Sequence, residues 1–364
     1  MNKKVFVFVD GCVLIQLENE KIKEAFENIG WTVVNSCEEA DRVIYNTCAY
    51  SGDKIDETLR NLKQLESKKK KEAELIVMGC LPKIDMESLR KVFKGNTADI
   101  TAFGLDNLYI SGNIVSTIHP ASRQDMYQIV ISTGCSGECS FCAVKRAKGS
   151  VRSRPVIEVM GEFEKALDLG FRKIALWSEG LGDYGEDISV NLIELIRSMI
   201  DSQPHELKYS LFLYRLSPRE TIKYFEGFKE LVRTEKIRLI SLSIQSGSNR
   251  LLKLMNRGHT VEDTKRCTTE LRQEFSGLRF MADVMVGFPT ETDDDFKATL
   301  EMLQEMDFDS VRVFPYSGVT GTPSFSMEGQ VSEKIKSERE EVLSELVRSP
   351  IYRANRHNEI YACE

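Results

Sequence analysis

The 364-residue chain contains no apolar run approaching 18 residues, the length a membrane-spanning helix needs, so no membrane span is expected. A cleavable leader is not expected either. The opening Met-Asn-Lys-Lys-Val-Phe-Val-Phe-Val copies its basic start and apolar run, but Asp10 interrupts at once and no small-x-small site follows. A buried first strand is the better reading. Cations are not in excess: 49 Lys and Arg face 56 Asp and Glu, a formal charge of −7. That balance speaks against a general nucleic-acid binder, while leaving room for a local basic groove. No self-similarity at a solenoid period is present. The nine cysteines are odd in number and unevenly clustered, unlike a disulfide framework. They point to a reducing, cytoplasmic compartment and to metal chemistry. With 41% hydrophobic and 29% charged residues, the composition is ordinary for a globular protein. The length allows two domains, or one barrel with an appendage.

What the chain does contain is Cys135, Cys139 and Cys142 in Ser132-Thr-Gly-Cys-Ser-Gly-Glu-Cys-Ser-Phe-Cys-Ala. Three thiolates at C-x3-C-x2-C spacing call for a shared soft metal centre. A structural zinc site closes with four ligands, commonly in paired C-x2-C arms, and no second arm follows here. Three cysteines on a four-iron cube leave one iron open to a ligand, whereas an electron-transfer cluster normally has four. At this segment the chain resembles the radical S-adenosylmethionine (SAM) superfamily, in which the amino and carboxylate groups of SAM occupy that iron; Phe141 fits the superfamily's aromatic position.

Hydrophobic periodicity divides the chain. Over residues 1–120, strands are expected at Lys4–Val9, Arg42–Asn46 and Glu74–Met78, with helices at Glu18–Ile29 and Asp56–Lys69. This is a small α/β domain with a parallel sheet. Over residues 125–330 the pattern restarts, with strands at Tyr127–Ser132, Lys173–Leu176, Lys208–Leu213, Arg238–Ile244, Phe280–Val286 and Asp309–Phe314 separated by helical patterns such as Val156–Leu169, Ile188–Ile200 and Thr292–Met306. Six strand–helix units read as a partial (β/α)6 TIM-like barrel whose site lies at the strand carboxyl ends, where the cysteine motif falls. Residues 331–364 read as one charged helix over 331–348 and a tail without pattern.

Cys12, Cys48 and Cys80 each follow an expected strand of the first domain. Strand ends of a parallel sheet share one edge, so the three can converge on a second, auxiliary cluster. Separate burial as small hydrophobes is the alternative, but it does not account for the equivalent placement. Cys37, Cys267 and Cys363 have no such setting and read as structural or incidental.

Two such cysteine sets resemble the radical SAM methylthiotransferases, the tRNA and ribosomal-protein enzymes. The resemblance extends through Ser140–Pro155, Ser243–Gly258, Asp283–Thr292 and Phe314–Pro323, and over residues 4 to 346 in all. It implies a radical SAM barrel, two 4Fe-4S clusters with Cys12, Cys48, Cys80, Cys135, Cys139 and Cys142 as ligands, and SAM as cofactor. No side chain beyond the clusters is needed for the radical step. The resemblance places the SAM amino group at Ser178, Glu179 and Gly180 after the second barrel strand. Gln245 and Ser246 ending the fourth strand could hold ribose and carboxylate, and Gly287 and Pro289 at the fifth make a tight turn suited to adenine. Each of these taken alone reads equally as scaffold, and Arg154 is expected to pair with the SAM carboxylate, a substrate or surface acids. Two SAM molecules would be consumed, one giving a methyl group to sulfur on the auxiliary cluster and one giving the 5′-deoxyadenosyl radical. A flavodoxin- or ferredoxin-type protein would supply electrons. Departures from the family are Val13-Leu14-Ile15 in place of Gln-Met-Asn, Lys145 in place of Pro, and Val319 near a usual arginine; all three are expected to line a substrate cavity. The family's carboxyl-terminal RNA-binding TRAM barrel is expected to be lacking, since only Ser349–Glu364 follow the last helix. With the negative charge, these features lead to the expectation of C–H to C–SCH3 conversion on a peptide or protein side chain, such as a ribosomally synthesised precursor peptide. The alternatives are a tRNA adenosine methylthiotransferase, and a radical SAM peptide-modifying enzyme using its second cluster only for electron transfer. An iron–sulfur carrier without catalysis conflicts with the barrel motifs.

Overall fold

A computed structural model describes residues 3–8, 10–99 and 126–348. Cys363, and Val9 at the end of the expected first strand, lie outside the described residues. The chain forms two compact units: residues 1–124 with 142–150 and 317–320, and residues 125–141 with 151–316 and 321–364. Among the described residues no helix is long and apolar enough to cross a membrane.

In the first unit the strands are β1 (Lys4–Phe8), β2 (Thr32–Val33), β3 (Arg42–Thr47), β4 (Glu74–Gly79) and β5 (Asn96–Thr97), in sheet order β2-β1-β3-β4-β5. Every pairing is parallel. Val5, Val7, Ile44, Ile76 and Met78 bury one face against Ile22 and Phe26 of the helix Val13–Asn28. Val43, Tyr45, Leu75 and Val77 bury the other against Ile55, Leu62 and Leu65 of the helix Gly52–Lys68. Burial on both faces is why these strands read as continuous apolar runs.

Two helix starts differ from expectation. The first helix begins at Val13, directly after Cys12, rather than at Glu18. Leu14 and Ile15 of its first turn are buried. The second starts four residues early, at Gly52, because the Ser51 side chain caps it by accepting from the Lys54 N–H.

In the second unit β6 (Met126–Val130), β9 (Lys173–Trp177), β10 (Ser210–Leu216), β11 (Ile237–Gln245), β12 (Arg279–Val286) and β13 (Ser310–Pro315) form a six-stranded sheet in chain order. Here too every pairing is parallel. The expected strand Tyr127–Ser132 divides: β7 (Ser132–Thr133) leaves the sheet to pair antiparallel with β8 (Arg152–Ser153). Tyr127, Ile129, Ile174, Leu176, Leu211, Leu213, Ile240, Leu242, Phe280 and Ala282 pack with the helices, including Phe163, Leu195, Phe228, Leu271 and Leu303. The helix Glu333–Arg348 joins the same core through Leu343. By alternation the opposite face carries Gln128, Trp177, Tyr214, Ser243, Asp283 and Arg312. Trp177 and Tyr214 stack there, with centroids 4.2 Å apart and rings 2° from parallel, and the indole N–H donates to Gln128 Oε1.

Candidate active site

β1, β3 and β4 are adjacent and parallel, so their carboxyl ends present Cys12, Cys48 and Cys80 along one edge. Cys48 follows β3 directly and Cys80 follows β4 directly. Cys12 stands at the amino end of the helix Val13–Asn28, where exposed N–H groups favour a thiolate. Gly11, at φ +104°, makes the turn into it, and a Cβ there would meet the Cys48 Cβ at 2.9 Å. The Cys48 thiol hydrogen-bonds with Cys12, and that bond, burial and the nearby Cys12 and Cys80 sulfurs raise its pKa well above the usual thiol range. A buried thiol whose ionisation two neighbouring sulfurs oppose is part of a donor set that a soft, cationic centre would relieve. Asp10 beside them accepts from the Tyr45 hydroxyl at 2.8 Å and forms an ion pair with Lys54.

In the second unit, Cys135 and Cys139 lie on the loop after β7. A Cβ on Gly137 would stand 3.2 Å from the Cys135 sulfur and 3.9 Å from that of Cys139, so both thiols face one glycine. The Gly137 N–H donates to Cys135 Sγ at 3.3 Å. The loop is held from the 178–183 segment: Glu179 accepts from the Gly134 N–H at 3.0 Å and Asp183 from the Ser136 N–H at 2.9 Å. Phe141 meets Phe288 edge-on. Cys142 opens the segment 142–150 of the first unit and accepts from the Val144 N–H at 3.4 Å.

Among the described residues, no three Cys, His or carboxylate side chains stand close enough to share a single metal ion. An iron–sulfur cube spaces its thiolates more widely than one ion does; the neighbouring Cys12, Cys48 and Cys80 sulfurs are compatible with one, as are, in the second unit, the N–H···S bond and the side-chain-free approach at Gly137 and Gly180 around Cys135 and Cys139.

The expected SAM contacts fare unequally. Gln245 ends β11 in the left-handed region, at φ +84°, a strain for a non-glycine residue that marks functional strand ends. Ser178 is buried and accepts from the Ser132 hydroxyl at 2.8 Å, tying β9 to β7. Glu179 spends an oxygen on the cysteine loop. Gly180 gives room: a Cβ there would meet Asp183 Oδ2 at 2.5 Å and Cys135 Sγ at 3.1 Å. Arg154 pairs with an acid, one of its expected alternatives: its buried guanidinium meets Glu162 and donates to the Val130 carbonyl. Ser246 is buried, accepts from the Ser248 N–H at 3.1 Å and faces Thr299. At Gly287, φ +73°, a Cβ would meet Lys336 Cγ at 2.3 Å, so the turn tolerates no side chain there. Pro289 is buried beside it. Val319 sits in the first unit's core rather than on a cavity wall, while Lys145 is exposed. Cys37 and Cys267 are core residues, as expected.

Replacing Gly180 with alanine is expected to drive the new methyl into Asp183, whose carboxylate is committed to the Ser136 N–H. Iron in Gly180→Ala should fall from about eight atoms toward about four, with 5′-deoxyadenosine formation lost. Full iron content and wild-type SAM cleavage would show that the approach is not tight.

Asp183 and Arg257 were not assigned from sequence. Arg257 falls within Ser243–Gly258, but its nearness to Cys139 depends on the fold.

A family model described as the Radical SAM superfamily matches residues 129–303, and one described as uncharacterized protein family UPF0004 matches residues 4–100. A similar solved structure is the radical SAM methyltransferase TsrM from Kitasatospora setae, with a TM-score of 0.60 at 16% identity over 89% of this chain and 77% of that one. The cobalamin-dependent SAM radical enzyme OxsB gives 0.55 at 11% identity, over 97% and 56%. The fold is that of a radical SAM enzyme. A probable threonylcarbamoyladenosine tRNA methylthiotransferase of Methanocaldococcus jannaschii is 29% identical over 98% of this chain and 85% of its own length. A tRNA-2-methylthio-N(6)-dimethylallyladenosine synthase of Aquifex aeolicus is 29% identical over 96% and 84%. These matches support an enzyme of the radical SAM methylthiotransferase type, with SAM and two 4Fe-4S clusters as its cofactors.

Proposed function

We propose that the protein replaces a C–H hydrogen of a tRNA adenosine with a methylthio group. The observation that carries this reading is the pair of curated tRNA methylthiotransferases aligned over 98% and 96% of the chain, through both cysteine sets. The expected peptide substrate finds no support among these relatives. Its main structural argument weakens as well, because Leu14 and Ile15 are buried in the first turn of a helix. Cys12, Cys48 and Cys80 would hold the auxiliary cluster in the amino-terminal unit, and Cys135, Cys139 and Cys142 the SAM-cleaving cluster at the barrel. The chemistry those groups supply when bound is one-electron reductive cleavage of SAM and delivery of methylated sulfur.

The chain's own residues hold and shape the site. Glu179 and Asp183 fix the cysteine loop through its N–H groups, and Gly137 and Gly180 keep its surroundings free of side chains. A flavodoxin- or ferredoxin-type donor and a cytoplasmic setting belong to the same reading. The test is to incubate reconstituted enzyme, SAM and reductant with bulk tRNA and, separately, with peptides from the same genome. A tRNA nucleoside heavier by about 46 Da, one CH3S in place of H, is expected. That mass gain on a peptide, with tRNA unchanged, would overturn the choice.

A further inference from the structure

Arg257 lies far from the cysteine motif in sequence, yet its Nη1 donates to Cys139 Sγ at 2.9 Å. The contact is built rather than incidental. Arg257 is 8% exposed. It stands between two left-handed residues, Asn256 at φ +56° and Gly258 at φ +66°, a turn that costs the asparagine backbone energy unless its surroundings hold it. The same turn grips the cysteine loop on both sides of Cys139. The Ser140 N–H donates to the Met255 carbonyl at 3.1 Å, the Ser140 hydroxyl to the Leu254 carbonyl at 2.8 Å, and the Asn256 amide to the Glu138 carbonyl at 2.9 Å.

The guanidinium is fixed from its far side as well. Nη2 donates to the Ser243 carbonyl of β11 and lies 3.4 Å from the Ser217 hydroxyl, leaving Nη1 aimed at the sulfur. His259 next to it is kept neutral, its pKa lowered to about 4 by burial and by the Arg257 charge. His259 therefore adds no cation; the Arg219 charge also acts on Cys139, but among the described residues the side-chain donor to its sulfur is Arg257.

We propose that Arg257 is a positioning residue that sets the reduction potential of the barrel cluster through a charge-assisted hydrogen bond to the Cys139 thiolate. Hydrogen bonds to cluster sulfurs are among the main determinants of potential. One-electron reduction adds negative charge to the cluster and its thiolates, and a fixed cation donating to one of them stabilises that state. The bond thus raises the potential and eases electron entry from an external reductant. This rests on the reading of Cys135, Cys139 and Cys142 as cluster ligands.

The experiment is an EPR-monitored redox titration of the full holoenzyme, with the barrel cluster recognised by the change in its signal on adding SAM. Arg257→Met should keep near-wild-type iron and show a lower potential for that cluster. Arg257→Lys, which keeps the charge but not the planar fork, should fall between the two. An unchanged potential in Arg257→Met with iron intact would overturn the inference. Should the Met variant not hold the cluster, Arg257→Gln is read instead: a lowered potential supports the inference and an unchanged one overturns it. A wild-type protein without a SAM-sensitive cluster signal would refute the underlying ligand assignment, a result separate from any behaviour of the Arg257 variants.

Discussion

Replacing Cys135, Cys139 and Cys142 together with alanine should cut the iron of the anaerobically reconstituted protein from about eight atoms to about four and abolish 5′-deoxyadenosine formation. The loss should be complete, because in the proposed reading the auxiliary cluster carries sulfur and only the barrel cluster cleaves SAM. The fold should survive: Cys135 and Cys139 lie on a loop and Cys142 is exposed, so none fills either apolar core. Retained SAM cleavage in this variant would remove the radical site from the loop after β7.

The amino-terminal triple variant, with Cys12, Cys48 and Cys80 changed to alanine, should behave in the opposite way. About half the iron is again lost, but SAM cleavage to 5′-deoxyadenosine persists while transfer of sulfur to carbon stops. Cys48 is 3% exposed and its thiol faces Cys12, so some destabilisation is expected from the lost packing. The discriminating readout is therefore the ratio of 5′-deoxyadenosine to methylthiolated product rather than the yield. Full iron content would mean the three are buried hydrophobes.

Much of the fold was legible in the sequence for a physical reason. Parallel strands covered on both faces read as unbroken apolar runs, as in Arg42–Thr47 and Glu74–Gly79, and Cys48 and Cys80 stand directly after them. The two-residue strands β2, β5, β7 and β8 are too short to show a period. The start of the first helix was hidden because Val13-Leu14-Ile15 reads equally as a wall or as a buried helical turn. The partners of Arg154 and Ser246 were not legible for a shared reason: sequence does not say which group satisfies a polar residue, and the fold supplies Glu162 and Thr299. Arg257 was missed from the other direction, since only the folded chain brings the turn after the helix Asn249–Leu254 against the loop carrying Cys139.

The most direct test of the account is product stoichiometry: S-adenosylhomocysteine, 5′-deoxyadenosine and the tRNA adenosine carrying C–SCH3 in place of C–H, measured together in one reaction with undermodified tRNA. One SAM giving methyl and a second giving the radical predict equal amounts of all three. A product that gains a methyl group without sulfur, or 5′-deoxyadenosine formed with neither S-adenosylhomocysteine nor modified tRNA, would contradict it.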